Sequence, residues 1–248
     1  MPASAIRKLV PFADAAKKQG VKVYHLNLGQ PDIKSPVCAL DAVRNYSLEN
    51  VSYSHSAGLM ELRKGLVEKY YRKIGIDLTV DELIVTVAGS ESVNLALEIT
   101  CNPGDEVIVL EPFYTNYNTF AFMNGLTLKA IPTDIRNGFQ IPPIEEFEKA
   151  ITDKTKAILV CNPGNPTGTQ YSKESMLALG EIARKHDLFL LSDEVYREFC
   201  YTDEPHFSAM NIPGLEQNVV LIDSVSKRYN LCGARVGCIV SHNKDVMT

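Results

Sequence analysis

Hydrophobic residues along the chain fall into short blocks that alternate with helix-like stretches. Seven apolar runs have the length of a β-strand: 83–87, 106–110, 126–131, 156–161, 188–192, 218–223 and 236–241. Most are nearly continuous in Val, Ile and Leu, which is typical of strands buried on both faces. Helical segments separate several of them. The pattern therefore predicts an α/β fold, with a mostly parallel seven-stranded sheet and helices on both faces.

Two segments have the periodicity of amphipathic helices. The first follows Gly58, and its apolar positions recur every four residues: Leu62, Leu66, Tyr70 and Ile74. Gly75 supplies a helix stop at its end. Residues 174–186 repeat the pattern, with apolar side chains among charged ones. We expect a helix in each segment.

The first 45 residues have a different organisation. A short helical pattern is interrupted at Pro11, and the turn-rich stretch 28–36 follows it. We expect residues 1–45 to form an N-terminal arm and part of a small domain, and residues 46–248 to form the large domain.

Charge and composition exclude several functions. The formal net charge of −5 argues against a basic surface for nucleic acid. The sequence has neither an apolar run long enough for a membrane helix nor a secretion signal, so a cytoplasmic protein is expected. Its six cysteines lack zinc-ligand spacing, and we expect reduced, buried thiols and no metal.

Polar and glycine-rich segments follow five of the predicted strands. These segments are 88–90, 111–114, 162–168, 193–196 and 224–227. In an open α/β sheet, ligands bind beyond the carboxyl ends of the strands. The sequence therefore predicts one site at that edge of the sheet.

Three of these residues could carry the chemistry, and each has an ordinary alternative. Lys227 ends an apolar strand, where loss of water would turn its amine into a nucleophile, although most lysines are solvated. Asp193 could hold a ring nitrogen protonated, or it could cap the next helix. Tyr196 would share a side with Asp193 across one helical turn, or pack in the core.

Other residues at this edge could bind a phosphate or a flat ring. Gly89 and Ser90 open a helical stretch whose N-terminus would attract an anion, or they form a simple strand–helix turn. Arg235 could grip a phosphate or form a surface ion pair. Asn165 could bind a ligand, or it could simply be a turn residue beside Pro and Gly. Tyr114 could stack on a ring or pack in the core.

One ligand would use all of these groups together. Pyridoxal phosphate offers an aldehyde for the lysine, a pyridine nitrogen for the acid, a phenolic oxygen for the asparagine and tyrosine, and a phosphate for the rest. The combination therefore favours this cofactor over any use of the residues singly.

Longer sequence motifs also indicate a pyridoxal-phosphate site. Residues 224–237, SVSKRYNLCGARVG, resemble the lysine signature of the class I/II aminotransferases, the fold-type-I pyridoxal-phosphate enzymes. NPGNPTG, SDEVY, LNLGQPD and YSHSAGLMELR resemble further motifs of that family in the expected order. The resemblance spans nearly the whole chain and implies transamination between an amino acid and a 2-oxo acid.

The resemblance also implies a role for each residue around the cofactor ring. Lys227 would form the Schiff base and later move the substrate's α-proton. Asp193 would pair with the pyridine nitrogen. Asn165 and Tyr196 would hydrogen-bond the ring oxygen, and Tyr114 would stack over the ring.

Further roles follow from the same resemblance. A phosphate cup is implied, comprising Gly89, Ser90, Ser224, Ser226 and Arg235. Tyr53 would reach the phosphate of a neighbouring subunit, which implies a homodimer with shared sites. Gly29, together with Asn165, would lie near the substrate. Glu111–Pro112 and Asn165–Pro166 are expected to be cis peptide bonds.

The chain departs from the family at its C-terminus. Family members continue beyond the last predicted strand into the rest of a small domain, which supplies the arginine for the substrate carboxylate. We therefore expect a fragment or a natural truncation that turns over poorly. A lyase reaction such as β-elimination and a non-catalytic cofactor-binding protein remain alternatives. A nucleotide-binding Rossmann protein is disfavoured because the Gly-x-Gly-x-x-Gly fingerprint is missing.

Overall fold

The seven predicted strands assemble into one sheet. The computed structural model describes residues 7–26, 29, 33–47 and 49–248. Its strands are β1 Leu83–Thr86, β2 Glu106–Glu111, β3 Thr127–Pro132, β4 Thr155–Cys161, β5 Phe189–Asp193, β6 Val219–Ser224 and β7 Gly237–Val240. Their order is β1-β7-β6-β5-β4-β2-β3. All pairs are parallel except those of β7, which confirms the predicted mostly parallel sheet.

The direction of β7 matters for the site. Gly237 is the first residue of β7. It pairs on one side with Thr86, the last residue of β1, and on the other side with Ser224, the last residue of β6. Because β7 runs opposite to its neighbours, it begins at the edge where the other strands end. Residues just before β7 therefore lie at the same edge as the segments that follow the parallel strands.

Helices cover both faces of the sheet. The helices in the described part of the chain are α1 Val10–Lys18, α2 Val37–Arg44, α3 Met60–Lys69, α4 Ala88–Thr100, α5 Asn116–Met123, α6 Ile144–Ala150, α7 Lys173–Lys185, α8 Val225–Arg228 and α9 Lys244–Met247. Of these, α1 and α2 bury no side chain. Two hydrophobic clusters result, one on each face. Phe147 and Met176 belong to the first cluster, and Leu97 and Tyr117 belong to the second.

The predicted helix break at Pro11 is wrong. Pro11 lies in the first turn of α1, which begins at Val10. Proline is accepted there because the N–H that it lacks would have no partner inside the helix. The fixed backbone angle of proline suits the start of a helix. Pro11 therefore marks the beginning of α1 and does not interrupt it.

The helix predicted after Gly58 is present, but its buried face is displaced by one position. Helix α3 and the 3₁₀ turn that follows it bury Arg63, Val67 and Tyr71. The predicted apolar positions 62, 66, 70 and 74 are only partly buried or exposed. The reason is Arg63, whose guanidinium Nε donates to the carbonyl oxygens of Val80 and Leu83, each over 3.1 Å. Gly75 ends the segment in the left-handed conformation, as expected.

The cysteines, the helix lengths and the metal-binding side chains were also subjects of sequence predictions. All six cysteines are free. Cys101 and Cys238 are buried, Cys161, Cys200 and Cys232 are partly buried, and Cys38 is exposed. The prediction of burial is therefore confirmed for two thiols and wrong for Cys38. Within the described ranges, no helix is long and apolar enough to cross a membrane, and no group of His, Cys, Asp and Glu has the arrangement of a metal site.

Candidate functional site

A cavity of about 770 Å³ opens at the edge where the parallel strands end. Eleven predicted site residues line it: Gly29, Gly89, Ser90, Tyr114, Asn165, Asp193, Tyr196, Ser224, Ser226, Lys227 and Arg235. Tyr53 is the exception, because its side chain is fully exposed and lies outside the lining. The topology thus brings together segments that are far apart in the sequence.

The N-terminus of α4 forms one end of the cavity. Gly89 and Ser90 lie in the first turn of this helix, where backbone N–H groups have no partner within the helix. Gly237 at the start of β7 allows the first turn of α4 to lie close to that strand. A Cβ atom at position 237 would lie 2.5 Å from the carbonyl carbon of Ala88 and 2.7 Å from the nitrogen of Gly89. This end is suited to an anion.

Two further segments contribute to the anion-binding end. Ser224 is the last residue of β6, and its Oγ accepts a hydrogen bond from the N–H of Ser226 over 3.3 Å. Arg235 precedes β7 with an exposed side chain, and its Nη1 donates to the carbonyl oxygen of Cys232 over 3.0 Å. Its φ of 56° is in the left-handed region, an unusual conformation for arginine. Strain of this kind clusters at ligand sites.

The carboxyl group of Asp193 lies at the end of β5 and is 5 % exposed. Its Oδ2 accepts a hydrogen bond from the hydroxyl of Tyr117 over 2.7 Å. Its Oδ1 accepts one from the N–H of Val195 over 3.3 Å. Burial raises the pKa of Asp193 to about 6. No helix follows β5 here, since residues 195–198 form a turn, so the alternative of a helix cap is wrong.

Tyr117 is a residue that sequence reasoning missed. It lies on α5, is 1 % exposed, and makes an edge-to-face contact with Tyr114 at 5.5 Å between ring centroids. Phe113 stacks on it at 6.3 Å. The sequence does place three aromatic residues, Phe113, Tyr114 and Tyr117, within six positions after the end of β2. A tyrosine in that pattern indicates only core packing, and its partner Asp193 is 76 residues away.

Asn165 and Tyr196 contact each other on the wall of the cavity. The side-chain Nδ2 of Asn165 donates to the hydroxyl oxygen of Tyr196 over 3.0 Å. Burial raises the pKa of Tyr196, so its hydroxyl stays protonated at neutral pH. The expected cis bonds at Glu111–Pro112 and Asn165–Pro166 are confirmed, and Asn162–Pro163 is also cis.

Lys227 reaches the cavity from a helix. The prediction that Lys227 ends the strand is wrong, because β6 stops at Ser224 and Lys227 lies on the four-residue helix α8. Its Nζ donates to the carbonyl oxygen of Gly29 over 2.9 Å and lies 5.9 Å from the ring centroid of Tyr196. The amine, the predicted substrate segment and the tyrosine are therefore neighbours.

The groups around the cavity differ in chemistry from end to end. Helix N–H groups, hydroxyls and a guanidinium suit an anionic group. The buried Asp193 suits a basic ring nitrogen, because a positive partner would offset the cost of its burial. Lys227 supplies an amine beside them. Such a donor set fits a flat, phosphorylated heteroaromatic molecule.

Known proteins resemble this chain in sequence and in fold. An aspartate/prephenate aminotransferase of Thermus thermophilus is 35 % identical over 222 residues, which cover 89 % of this chain and 57 % of that protein. The crystal structure of an aspartate aminotransferase from Thermotoga maritima superposes with a TM-score of 0.92 and 33 % identity, covering 99 % of this chain and 65 % of its own. An alanine aminotransferase from Pyrococcus furiosus superposes with a TM-score of 0.88 at 32 % identity. The match covers 98 % of this chain and 64 % of the alanine aminotransferase.

The chain therefore spans about three fifths of the length of these relatives. The family model "Aminotransferase class I and II" matches residues 21–248, which is most of the sequence. The sequence motifs and the fold agree with that match. The chain belongs to the class I and II aminotransferase family.

Proposed function

We propose that this chain carries the cofactor site of an enzyme that transfers an amino group between an amino acid and a 2-oxo acid with pyridoxal phosphate. The observation that carries the proposal is that Lys227 and Asp193 line one cavity together with the N-terminus of α4. When bound, the cofactor supplies an aldehyde that reacts with amines and a protonated ring that withdraws electrons from the substrate.

Asp193 would hold the ring nitrogen in its protonated form. Its carboxyl group is buried, and Tyr117 orients it by a hydrogen bond of 2.7 Å. A cationic ring nitrogen beside it would lower the pKa of the carboxyl group from about 6 and keep both groups charged. This pairing would sustain the electron-withdrawing form of the ring.

Lys227 would provide the amine that bonds to the cofactor and, once released, the base that moves the proton at the substrate's Cα. Its short helix and its bond to Gly29 orient the amine. Asn165 and Tyr196 would hydrogen-bond the ring oxygen with groups that already contact each other. Tyr114 would pack on the ring face.

The opposite end would hold the phosphate. Gly89 and Ser90 offer helix N–H groups, and Ser224 and Ser226 offer hydroxyls. Arg235 would add a charge-assisted hydrogen bond once its side chain leaves the carbonyl of Cys232. All five residues line the cavity.

Gly29 and Asn165 would lie at the substrate end. Relatives are named for aspartate, prephenate and alanine, so the proposal extends to amino acids and 2-oxo acids as classes. Tyr53 would serve the site of a second copy, since its side chain is free of the cavity of its own chain. Light scattering of the purified chain tests the proposed homodimer. The cytoplasmic location and the boundary at residue 46 stay predictions of the sequence.

The proposal is tested by a single-turnover reaction. The chain is loaded with pyridoxal phosphate and mixed with a panel of amino acids, and the products are identified. Release of a 2-oxo acid, with the amino group left on the cofactor, is the expected result. Release of ammonia would favour the lyase alternative. No product from any amino acid would contradict the proposal for this chain, and Lys227→Ala serves as the inactive control.

A further inference from the structure

Four buried charged side chains adjoin the cavity lining in sequence without lining the cavity themselves. Each adjoins, in sequence, a residue of the cavity lining. The pairs are Asp193–Glu194, Tyr196–Arg197, Ser224–Asp223 and Lys227–Arg228. Glu194 and Asp223 are at most 1 % exposed, and the side chains of Arg197 and Arg228 are at most 4 % exposed. We call these four residues the charged layer.

One half of the charged layer is centred on Asp223. Nη2 of Arg228 donates to both carboxylate oxygens of Asp223, over 2.9 and 2.7 Å. The buried hydroxyl of Tyr71 donates to the same carboxylate over 2.8 Å. The guanidinium of Arg228 also stacks on Tyr70, with 3.7 Å between its central carbon and the ring centroid. Arg228 is therefore held by charge, hydrogen bonds and an aromatic face.

The other half is centred on Glu194. It forms an ion pair with Arg197. Its Oε1 accepts hydrogen bonds from the hydroxyls of Ser192 and Ser208, each over 3.0 Å, and from the N–H of Ala209 over 2.9 Å. The two halves meet at Tyr71, whose ring centroid lies 5.7 Å from the guanidinium carbon of Arg197.

This arrangement links the direction of Lys227 to the position of Arg228. Helix α8 has only four residues, too few for a helix to be stable by itself. Rotating α8 to turn Lys227 out of the cavity would pull Arg228 away from Asp223 and leave a buried carboxylate without its main partner. Separating such a pair is costly because neither charge regains its water shell.

We propose that Arg228, anchored on Asp223, is a positioning residue that holds α8 and so directs the amine of Lys227 into the cavity. The anchoring is a property of the chain by itself. Its benefit to cofactor binding rests on the proposed function. The two parts can be measured separately.

The anchoring is tested by hydrogen–deuterium exchange on the chain without cofactor, comparing wild type with Arg228→Met and Arg228→Lys. Arg228→Met should accelerate exchange of the amides in 225–230 about tenfold or more. Arg228→Lys should give a smaller increase, since it keeps the charge and loses the flat stacking on Tyr70. The control is Arg63→Met, which removes another buried arginine that lies outside the cavity lining. It should lower overall stability without a selective effect on 225–230.

Positioning is tested by adding pyridoxal phosphate to the same variants. Arg228→Met should weaken cofactor binding and shift the pH midpoint of the visible absorbance of the bound cofactor, with partial rescue in Arg228→Lys and no shift in Arg63→Met. Unchanged exchange at 225–230 in Arg228→Met, or equal effects of Arg63→Met, would overturn the proposal. A wild-type chain that never develops visible absorbance would refute the proposed function, while exchange would still decide the anchoring.

Discussion

The hydroxyl of Tyr117 lies 2.7 Å from Oδ2 of Asp193, and both groups are buried. This contact joins helix α5 to the end of strand β5 directly at the cavity. Burial favours the neutral form of the carboxyl group, while the tyrosine hydrogen bond favours the charged form. The charge of Asp193 is therefore set by a balance that single substitutions can shift.

Replacing Tyr117 by phenylalanine removes the hydrogen bond and leaves the ring in place. We expect the pKa of Asp193 to rise above about 6, because the hydroxyl that lowers it is gone. Affinity for pyridoxal phosphate should then fall more at pH 6.5 than at pH 8.5, which titration by absorbance measures. Stability should drop by about 1 kcal/mol. Tyr171→Phe, in the opposite hydrophobic cluster, is the control and should leave the pH dependence unchanged.

Asp193 should also destabilise the cofactor-free chain at neutral pH. Its pKa is higher in the folded state, so protonation favours folding, and stability should fall as pH rises from about 4 to about 6. Asp193→Asn removes this titration. Its gain in unfolding free energy over wild type should grow by up to about 3 kcal/mol between pH 4 and 7. Urea unfolding at several pH values measures it, and a gain independent of pH would contradict the assignment.

Arg235 should distinguish pyridoxal phosphate from pyridoxal. Arg235→Ala removes the guanidinium proposed for the phosphate and leaves the ring contacts unchanged. The ratio of the two affinities should fall at least about tenfold, the effect of losing one charge-assisted hydrogen bond. Pyridoxal binding itself should change little. An equal loss for both ligands would place Arg235 outside the phosphate site.

Gly237 should be intolerant of a side chain. In Gly237→Ala the new methyl group would meet the backbone of Ala88 and Gly89 at 2.5–2.9 Å and push α4 away from β7. We expect a loss of about 2 kcal/mol in unfolding free energy together with weaker cofactor binding.

Gly65→Ala is the matched control for this prediction. Gly65 lies within α3, and a Cβ there would have no atom within 4 Å among the described residues. Alanine should stabilise that helix by up to about 1 kcal/mol and leave cofactor binding unchanged. Similar effects of the two substitutions in unfolding experiments would show that Gly237 has no special role.

The sheet and the lining of the cavity could be predicted from sequence, for a specific reason. All strands except β7 are parallel, so the residues that follow them meet at one edge whatever the details of the helices. That rule alone predicts that Asp193, Tyr196 and Lys227 lie together at this edge. Arg235 also follows, since β7 begins where β6 ends.

Contacts between elements could not be predicted in the same way. The bond from Tyr117 to Asp193 depends on how α5 lies on the sheet, and the charged layer depends on α3 placing Tyr71 beside Asp223. A buried arginine such as Arg63 or Arg228 contradicts the usual rule that arginine is exposed, because only tertiary contacts satisfy its guanidinium. Hydrophobic periodicity carries no information on such contacts.

The most direct test of the account is to locate the covalent bond to the cofactor. The chain is incubated with pyridoxal phosphate, reduced with borohydride, digested and analysed by mass spectrometry. We expect one modified site, Lys227, with the modification lost in Lys227→Ala and reduced in Asp193→Asn. Labelling spread over surface lysines, and unchanged in Lys227→Ala, would contradict the claim that Lys227 and Asp193 bind one cofactor.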